Sequence, residues 1–126
     1  MTVTERVKPL DIVQDVRDRA VVMQVRGEVD TGTVERLTGA LKAGTAAALA
    51  HPLRVLVVDL TGVTYFGSAG LNALLDCVEG GDVSGIAVRV VADNAEVLRP
   101  IEVTKLDAVL RPFRTVADAL AAGEAG

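Results

Sequence analysis

The sequence predicts an α/β fold: a mixed sheet of four to five strands with helices packed on one face. Three observations carry this expectation. From Arg54 the chain runs apolar to Leu60, broken only at Asp59, the pattern of a strand buried on both faces at the centre of a parallel sheet. Strand-like runs then alternate with segments of helical apolar spacing, so parallel strands are joined by crossover helices. The first two strand-like runs are instead joined by a short connection, which makes them an antiparallel hairpin. Parallel crossovers are right-handed, so strands laid down in sequential order put every crossover helix on the same face. The other face is left partly covered, by loops, the N-terminal segment or a partner.

Residues 1–9 are polar and end at Pro9, a loose lead-in. Leu10, Ile12 and Val16 alternate with Asp11, Val13, Asp15 and Arg17 as a half-buried strand. Residues 17–19 make a turn, and Val21, Met23 and Val25 mark a second strand. Gly27-Glu28-Val29-Asp30 ends it. Asp30 or Thr31 caps a helix over residues 31–50, whose face is Val34, Leu37, Leu41, Ala48 and Leu49. Gly39 and Gly44 weaken that helix, and His51-Pro52 ends it, leaving His51 as a solvated helix end. After the central strand a helix runs over residues 68–79 and stops at Gly80-Gly81. Residues 86–92 are another apolar strand, broken by Arg89. Asp93 and Glu96 pair as a capping box for a helix carrying Val97, Leu98 and Ile101, which Pro100 ends or kinks. Val109-Leu110-Arg111 reads as a short last strand. Thr115 caps a last helix with Val116, Ala119 and Leu120, and residues 121–126 fray.

At 126 residues the chain is expected to be one domain, residues 1–126, with its core at about 10–120. Half of the residues are hydrophobic but only 2% are aromatic, so the core is aliphatic and offers no stacking platform for bases. A net charge of −4 also argues against tracking a phosphate backbone, so no nucleic-acid partner is expected. No apolar run has the length of a membrane span and the first residues have no apolar signal core. Cys77 is alone and cannot pair internally, and His51 is the single histidine, so neither metal nor cofactor is expected. Cys77 reads as a small core or half-buried filler. The expected location is the cytoplasm.

The chemistry concentrates at Gly67-Ser68-Ala69-Gly70, between the central strand and its helix. Ser68 has three readings there: a helix N-cap, a nucleophile or a phosphoryl acceptor. A nucleophile elbow needs glycine where Phe66 stands, and His51 precedes the strand, so hydrolysis finds little support. A phosphate loop needs a lysine that is missing. Asp30 and Asp59 read as caps and turn-makers rather than an acid–base pair. What remains is an exposed serine at a helix's positive end, flanked by small residues that allow a partner's backbone to approach. A phosphoryl group there would add a charge of about −1.5 to −2 and repel or displace a docked partner.

Two segments resemble those of a known family. Gly27-Glu28-Val29-Asp30 is similar to Gly-Glu-Leu/Ile-Asp of the STAS domain, and specifically of the bacterial anti-sigma factor antagonists. The run from Asp59-Leu60-Thr61-Gly62-Val63 through Tyr65-Phe66-Gly67-Ser68-Ala69-Gly70-Leu71 resembles that family's Asp-Leu-Ser-x-Val-x-Phe-Met/Leu-Asp-Ser-Ser/Thr-Gly-Leu. The resemblance implies the one-sided fold. It also implies an antagonist that binds an anti-sigma factor and so releases a sigma factor. The anti-sigma factor is typically a serine kinase of the histidine-kinase-like ATPase type, which phosphorylates the antagonist and ends the complex; a phosphatase resets it. By position, Ser68 is the phosphoacceptor, and Asp30, Gly67, Ser68, Ala69, Gly70 and Asn72 make up the partner-binding surface. Gly67 stands where the family has an acid, and Ala69 where it has a second hydroxyl, which leaves Ser68 the one acceptor. The expected protein is a regulator and not an enzyme, monomeric or weakly homodimeric. Two other readings stand beside it: a non-switching STAS scaffold or accessory subunit, as in stressosomes or lipid transporters, and a small serine hydrolase.

Overall fold

A computed structural model describes residues 10–122. The chain runs β1 (Leu10–Val16), β2 (Val21–Val29), α1 (Val34–Leu49), β3 (Val55–Phe66), α2 (Ser68–Ser84), β4 (Ala87–Val91), α3 (Ala95–Val103), α4 (Asp107–Leu110) and α5 (Val116–Ala121). The strands lie in the order β1-β2-β3-β4. β1 is antiparallel to β2, while β2, β3 and β4 are parallel, as the short hairpin and the helical crossovers require. The lead-in at residues 1–9 and the tail at 123–126 lie outside the described residues. No helix among those described is long and apolar enough to cross a membrane.

Side chains of β2 and β3 point alternately to the two faces, and both faces are apolar. Val21, Met23 and Val25 with Leu56, Val58 and Leu60 meet Leu37 and Leu41 of α1, Leu71 and Leu74 of α2, and Val97 and Ile101 of α3. Each such side chain contributes roughly 1.5–3 kcal/mol by leaving water. The crossover helices thus share one face. The opposite face carries Val22, Val55, Val57 and Val91, and here α5 lies down, bringing Ala119 with Val116 and Leu120 beside Phe113. A helix was expected on one face only; an apolar back on the central strands draws the terminal helix to the other.

Several local expectations are corrected. β3 continues past Leu60 to Phe66, because β2 keeps pairing with it through two register shifts as far as Val29 and Phe66. α2 does not stop at Gly80-Gly81 but reaches Ser84, with left-handed Gly85 after it. Gly81 serves packing: a Cβ there would stand 2.6 Å from Val88 Cγ2 and 3.1 Å from the Ile86 carbonyl oxygen. Pro100 sits inside α3 without ending it. The capping box of Asp93 and Glu96 does not form, for the N-cap is Asn94 and its side chain turns away. Asn94 Nδ2 donates instead to the carbonyls of Leu60 (3.1 Å) and Val63 (2.7 Å), in the part of β3 beyond its pairing with β4. Residues 109–111 are not a strand; Val109 and Leu110 belong to α4, and Arg111 follows at a φ of 43°. Phe113, two residues later, makes an isolated parallel bridge to Val91. Thr115 does cap α5, accepting from the Asp118 amide at 3.0 Å.

His51 is also not a solvated helix end: it is 7% exposed. The Leu53 amide donates to Nδ1 (3.1 Å), so Nε2 carries the proton and donates to the Arg17 carbonyl (2.7 Å). The ring therefore ties the β1–β2 turn to the entrance of β3. His51→Ala removes a buried side chain and unpairs the Arg17 carbonyl and the Leu53 amide, and is expected to cost about 1–3 kcal/mol. That corresponds to a melting temperature lowered by roughly 3–15 °C, read in a thermal melt; an unchanged midpoint contradicts the tie.

Cys77 is half-buried on α2, with Sγ 4.0 Å from Thr45 Oγ1 of α1, in line with a filler. Burial pushes its thiol up, against a smaller opposing pull from the Thr45 hydroxyl, which disfavours the reactive thiolate.

Candidate functional site

The β2–α1 and β3–α2 connections lie side by side at the C-terminal end of the parallel strands. Gly27 has a φ of 109°, a left-handed conformation natural to glycine, and the β2 register against β3 shifts between it and Glu28. Past that irregularity Val29 pairs with Phe66, and the Gly67 amide donates to the Val29 carbonyl at 2.9 Å. Asp30 and Ser68 are each the next residue along.

Asp30 is held within its own loop. Its Oδ1 accepts from the amides of Gly32 (2.9 Å) and Thr33 (3.0 Å), closing the turn that precedes α1; the helix starts at Val34, and its N-cap is neither Asp30 nor Thr31 but Thr33, whose side chain makes no capping bond. Thr33, which sequence reasoning passed over, completes the loop: its hydroxyl accepts from the Asp30 amide (3.0 Å) and donates to the Glu28 carbonyl (2.9 Å). At 5% exposure Thr33 is a buried polar anchor. The signal in the sequence was Asp30 followed three residues later by a hydroxyl.

Ser68 opens α2 as its first helical residue; the N-cap is Gly67. The capping reading of Ser68 is thereby corrected. The side chain is exposed and, among the described residues, its hydroxyl has no hydrogen-bond partner. It stands at the positive end of a 17-residue helix with no acidic residue in its first turn, where added negative charge gains about 0.3–1 kcal/mol. Asn72, four residues on and so on the same helix face, is exposed as well. Ala69 and Gly67 are half-buried.

Gly70 does not belong to the open surface. It is buried, and a Cβ there would stand 2.4 Å from Val29 Cγ1 and 3.0 Å from Phe66 Cε1. Its lack of a side chain lets the start of α2 seat on the ends of β2 and β3, rather than letting a partner approach. Asp59 is neither a cap nor a turn-maker: it lies inside β3, 9% exposed, where its Oδ1 accepts from the Thr61 amide and hydroxyl beside a shift in the register with β2. His51 precedes the start of β3 and Ser68 follows its end. A strand of 12 residues puts on the order of 35 Å between them, so His51 cannot activate Ser68. Among the described residues no group of three or more His, Cys, Asp or Glu is placed to hold a metal ion.

With this geometry in hand, the chain compares closely with known proteins. The STAS domain model matches residues 11–119. The anti-sigma-F factor antagonist RsfB of Mycobacterium tuberculosis is 34% identical over 99 residues, covering 79% of this chain and 77% of that protein. The crystal structure of an anti-sigma factor antagonist from Mycobacterium paratuberculosis superposes with a TM-score of 0.77 at 31% identity, covering 90% of this chain and 92% of the other. The anti-sigma factor antagonist SpoIIAA in its unphosphorylated form has a TM-score of 0.70 at 14% identity, over 92% of this chain and 98% of that one, a likeness of fold. The sequential sheet, the paired loops and the match across residues 11–119 lead to one conclusion: the chain belongs to the STAS domain family.

Proposed function

We propose that this chain is an anti-sigma factor antagonist that works in the cytoplasm by partner switching at Ser68. Unphosphorylated, it binds an anti-sigma factor through the Asp30 loop, Ser68 and the exposed face of α2 that carries Asn72, and thereby frees a sigma factor. The anti-sigma factor is a serine kinase, and it ends the complex by phosphorylating Ser68. The carrying observation is the exposed Ser68 hydroxyl at the positive end of α2, beside the Asp30 loop, in a chain 34% identical to a protein named an anti-sigma-F factor antagonist.

In the transfer, Ser68 Oγ attacks the γ-phosphorus of ATP. The Oγ–P bond forms, the bond to the ADP oxygen breaks, and the hydroxyl proton passes to a base on the kinase. This chain is the substrate: it presents the hydroxyl and gains a charge of about −1.5 to −2 that the first turn of α2 tolerates. The docked partner surface, arranged around a neutral hydroxyl, is repelled. A phosphatase removes the group by hydrolysis and restores binding.

The test is incubation with the anti-sigma factor of the same cell and ATP, followed by mapping of phosphate by mass spectrometry and sizing of the complex. One phosphate on Ser68 and dissociation are expected. Phosphate on another residue, or a complex that persists after Ser68 is modified, overturns the switch. A stable complex with a transporter ATPase in place of the kinase supports the accessory-subunit reading instead.

A further inference from the structure

The turn before Ser68 is built around an absence. A Cβ on Gly67 would stand 3.2 Å from Tyr65 Cε2 and 3.3 Å from the Tyr65 phenol oxygen. The Tyr65 ring therefore lies over Gly67, in the space that any side chain at that position would enter. Tyr65 is 53% exposed, and it is the only tyrosine of a chain without tryptophan. It also walls a groove of about 450 Å³ whose other side is α3, with Arg99, Pro100 and Val103; Val103 is 72% exposed. Burial does not account for this placement, since the Phe66 side chain next to it is the one that enters the core, at 4% exposure.

A tyrosine in this setting has the properties of an interface anchor. Its ring offers rigid apolar area at the cost of two torsions, its hydroxyl offers a hydrogen bond, and Tyr is among the residues enriched where binding energy concentrates. Gly67 supports it: the ring rests on the residue immediately before Ser68, so a partner that docks on this turn has Tyr65 within its footprint.

We infer that Tyr65 is a specificity-determining residue of the Ser68 site, through which the anti-sigma kinase reads the turn, and that glycine at 67 holds the ring in the reading position. The inference rests on the antagonist function proposed above. Tyr65 makes no contact with the transferred phosphoryl group in this role. It acts on docking, so its loss raises KM and leaves kcat in place.

The experiment measures phosphorylation kinetics of Ser68 with the kinase identified in the mapping assay, for the full chain and for Tyr65→Ala, Tyr65→Phe, Gly67→Ala and the double variant Tyr65→Ala with Gly67→Ala. Tyr65→Ala is expected to raise KM by roughly tenfold with kcat within twofold, the size typical of an interface anchor. Tyr65→Phe keeps the ring and recovers part of the loss. Gly67→Ala displaces the ring and raises KM in the wild-type background, yet adds little once Tyr65 is alanine, a non-additivity that marks the pair as one unit. Because the chain has a single tyrosine, 3-fluorotyrosine labels this position alone, and its one fluorine resonance should move when the kinase is added. Values of KM within twofold of wild type for both Tyr65 variants, or a fall in kcat at constant KM, overturn the inference and leave the antagonist reading standing. A wild-type chain that the kinase neither binds nor phosphorylates at Ser68 overturns both.

Discussion

Ser68→Ala is expected to abolish phosphate incorporation completely while leaving the fold and its stability intact. The side chain is exposed and its hydroxyl is bonded to nothing among the described residues, so its removal should change stability by no more than about 0.5 kcal/mol. The variant should then hold the anti-sigma factor whether or not ATP is present. Ser68→Asp makes the sharper contrast, because its two effects have opposite signs. A carboxylate in the first turn of α2 gains about 0.3–1 kcal/mol from the helix dipole, so the melting temperature should hold or rise slightly. The same charge faces the docked partner, where like-charge or unpaired contacts cost several kcal/mol, so affinity should fall by at least roughly tenfold. Isothermal titration against the anti-sigma factor and a thermal melt measure the two together. Lower stability with unchanged affinity would contradict the mechanism.

The second large effect is expected at Gly70. Alanine there places its methyl 2.4 Å from Val29 Cγ1 and 3.0 Å from Phe66 Cε1, and those side chains are 0% and 4% exposed. Neither neighbour can turn into solvent, so the start of α2 must lift from the sheet. Overpacking of this kind costs about 1–3 kcal/mol, partly offset by the gain in helix propensity. Gly80→Ala is the matched control. A Cβ on Gly80 has nothing within 4 Å, so the same change on the same helix should stabilise by up to about 1 kcal/mol. Denaturant unfolding should show a lower midpoint for Gly70→Ala and an equal or higher one for Gly80→Ala, with the slope unchanged in both. Gly70→Ala should also weaken the partner complex, since Ser68 moves with the helix relative to the Asp30 loop. Equal midpoints for the two variants would show that the close approach at Gly70 is not a constraint.

Gly70 and Gly80, nearly three turns apart in one helix, thus carry different meanings that no local pattern separates. Gly80-Gly81 reads as a stop signal, yet Gly81 packs against Val88 and the helix passes through. Gly67-Ser68-Ala69-Gly70 reads as a uniform small-residue docking surface. Gly70 faces inward, Gly67 lies under Tyr65, and Ser68 is exposed beside them. His51 before Pro52 reads as a solvated end because the carbonyl it reaches belongs to Arg17, 34 residues earlier in the chain. Asn94 hides in the same way, behind a stronger apparent cap at Asp93, because its partners are carbonyls of β3.

The sequence by itself determined the strand order, the shared face of the crossover helices, the family and the position of Ser68 at the mouth of α2. The fold follows from apolar periodicity, connection length and handedness, which are local or nearly so, and the family from the resemblance of two short segments to its motifs. Only the tertiary structure decided that α5 covers the back of the sheet, that Gly70 is a packing position, that Thr33 locks the Asp30 loop, and that Tyr65 lies over Gly67. Each of these depends on which atoms from distant parts of the chain meet across a few ångströms, and composition and spacing carry no record of that distance.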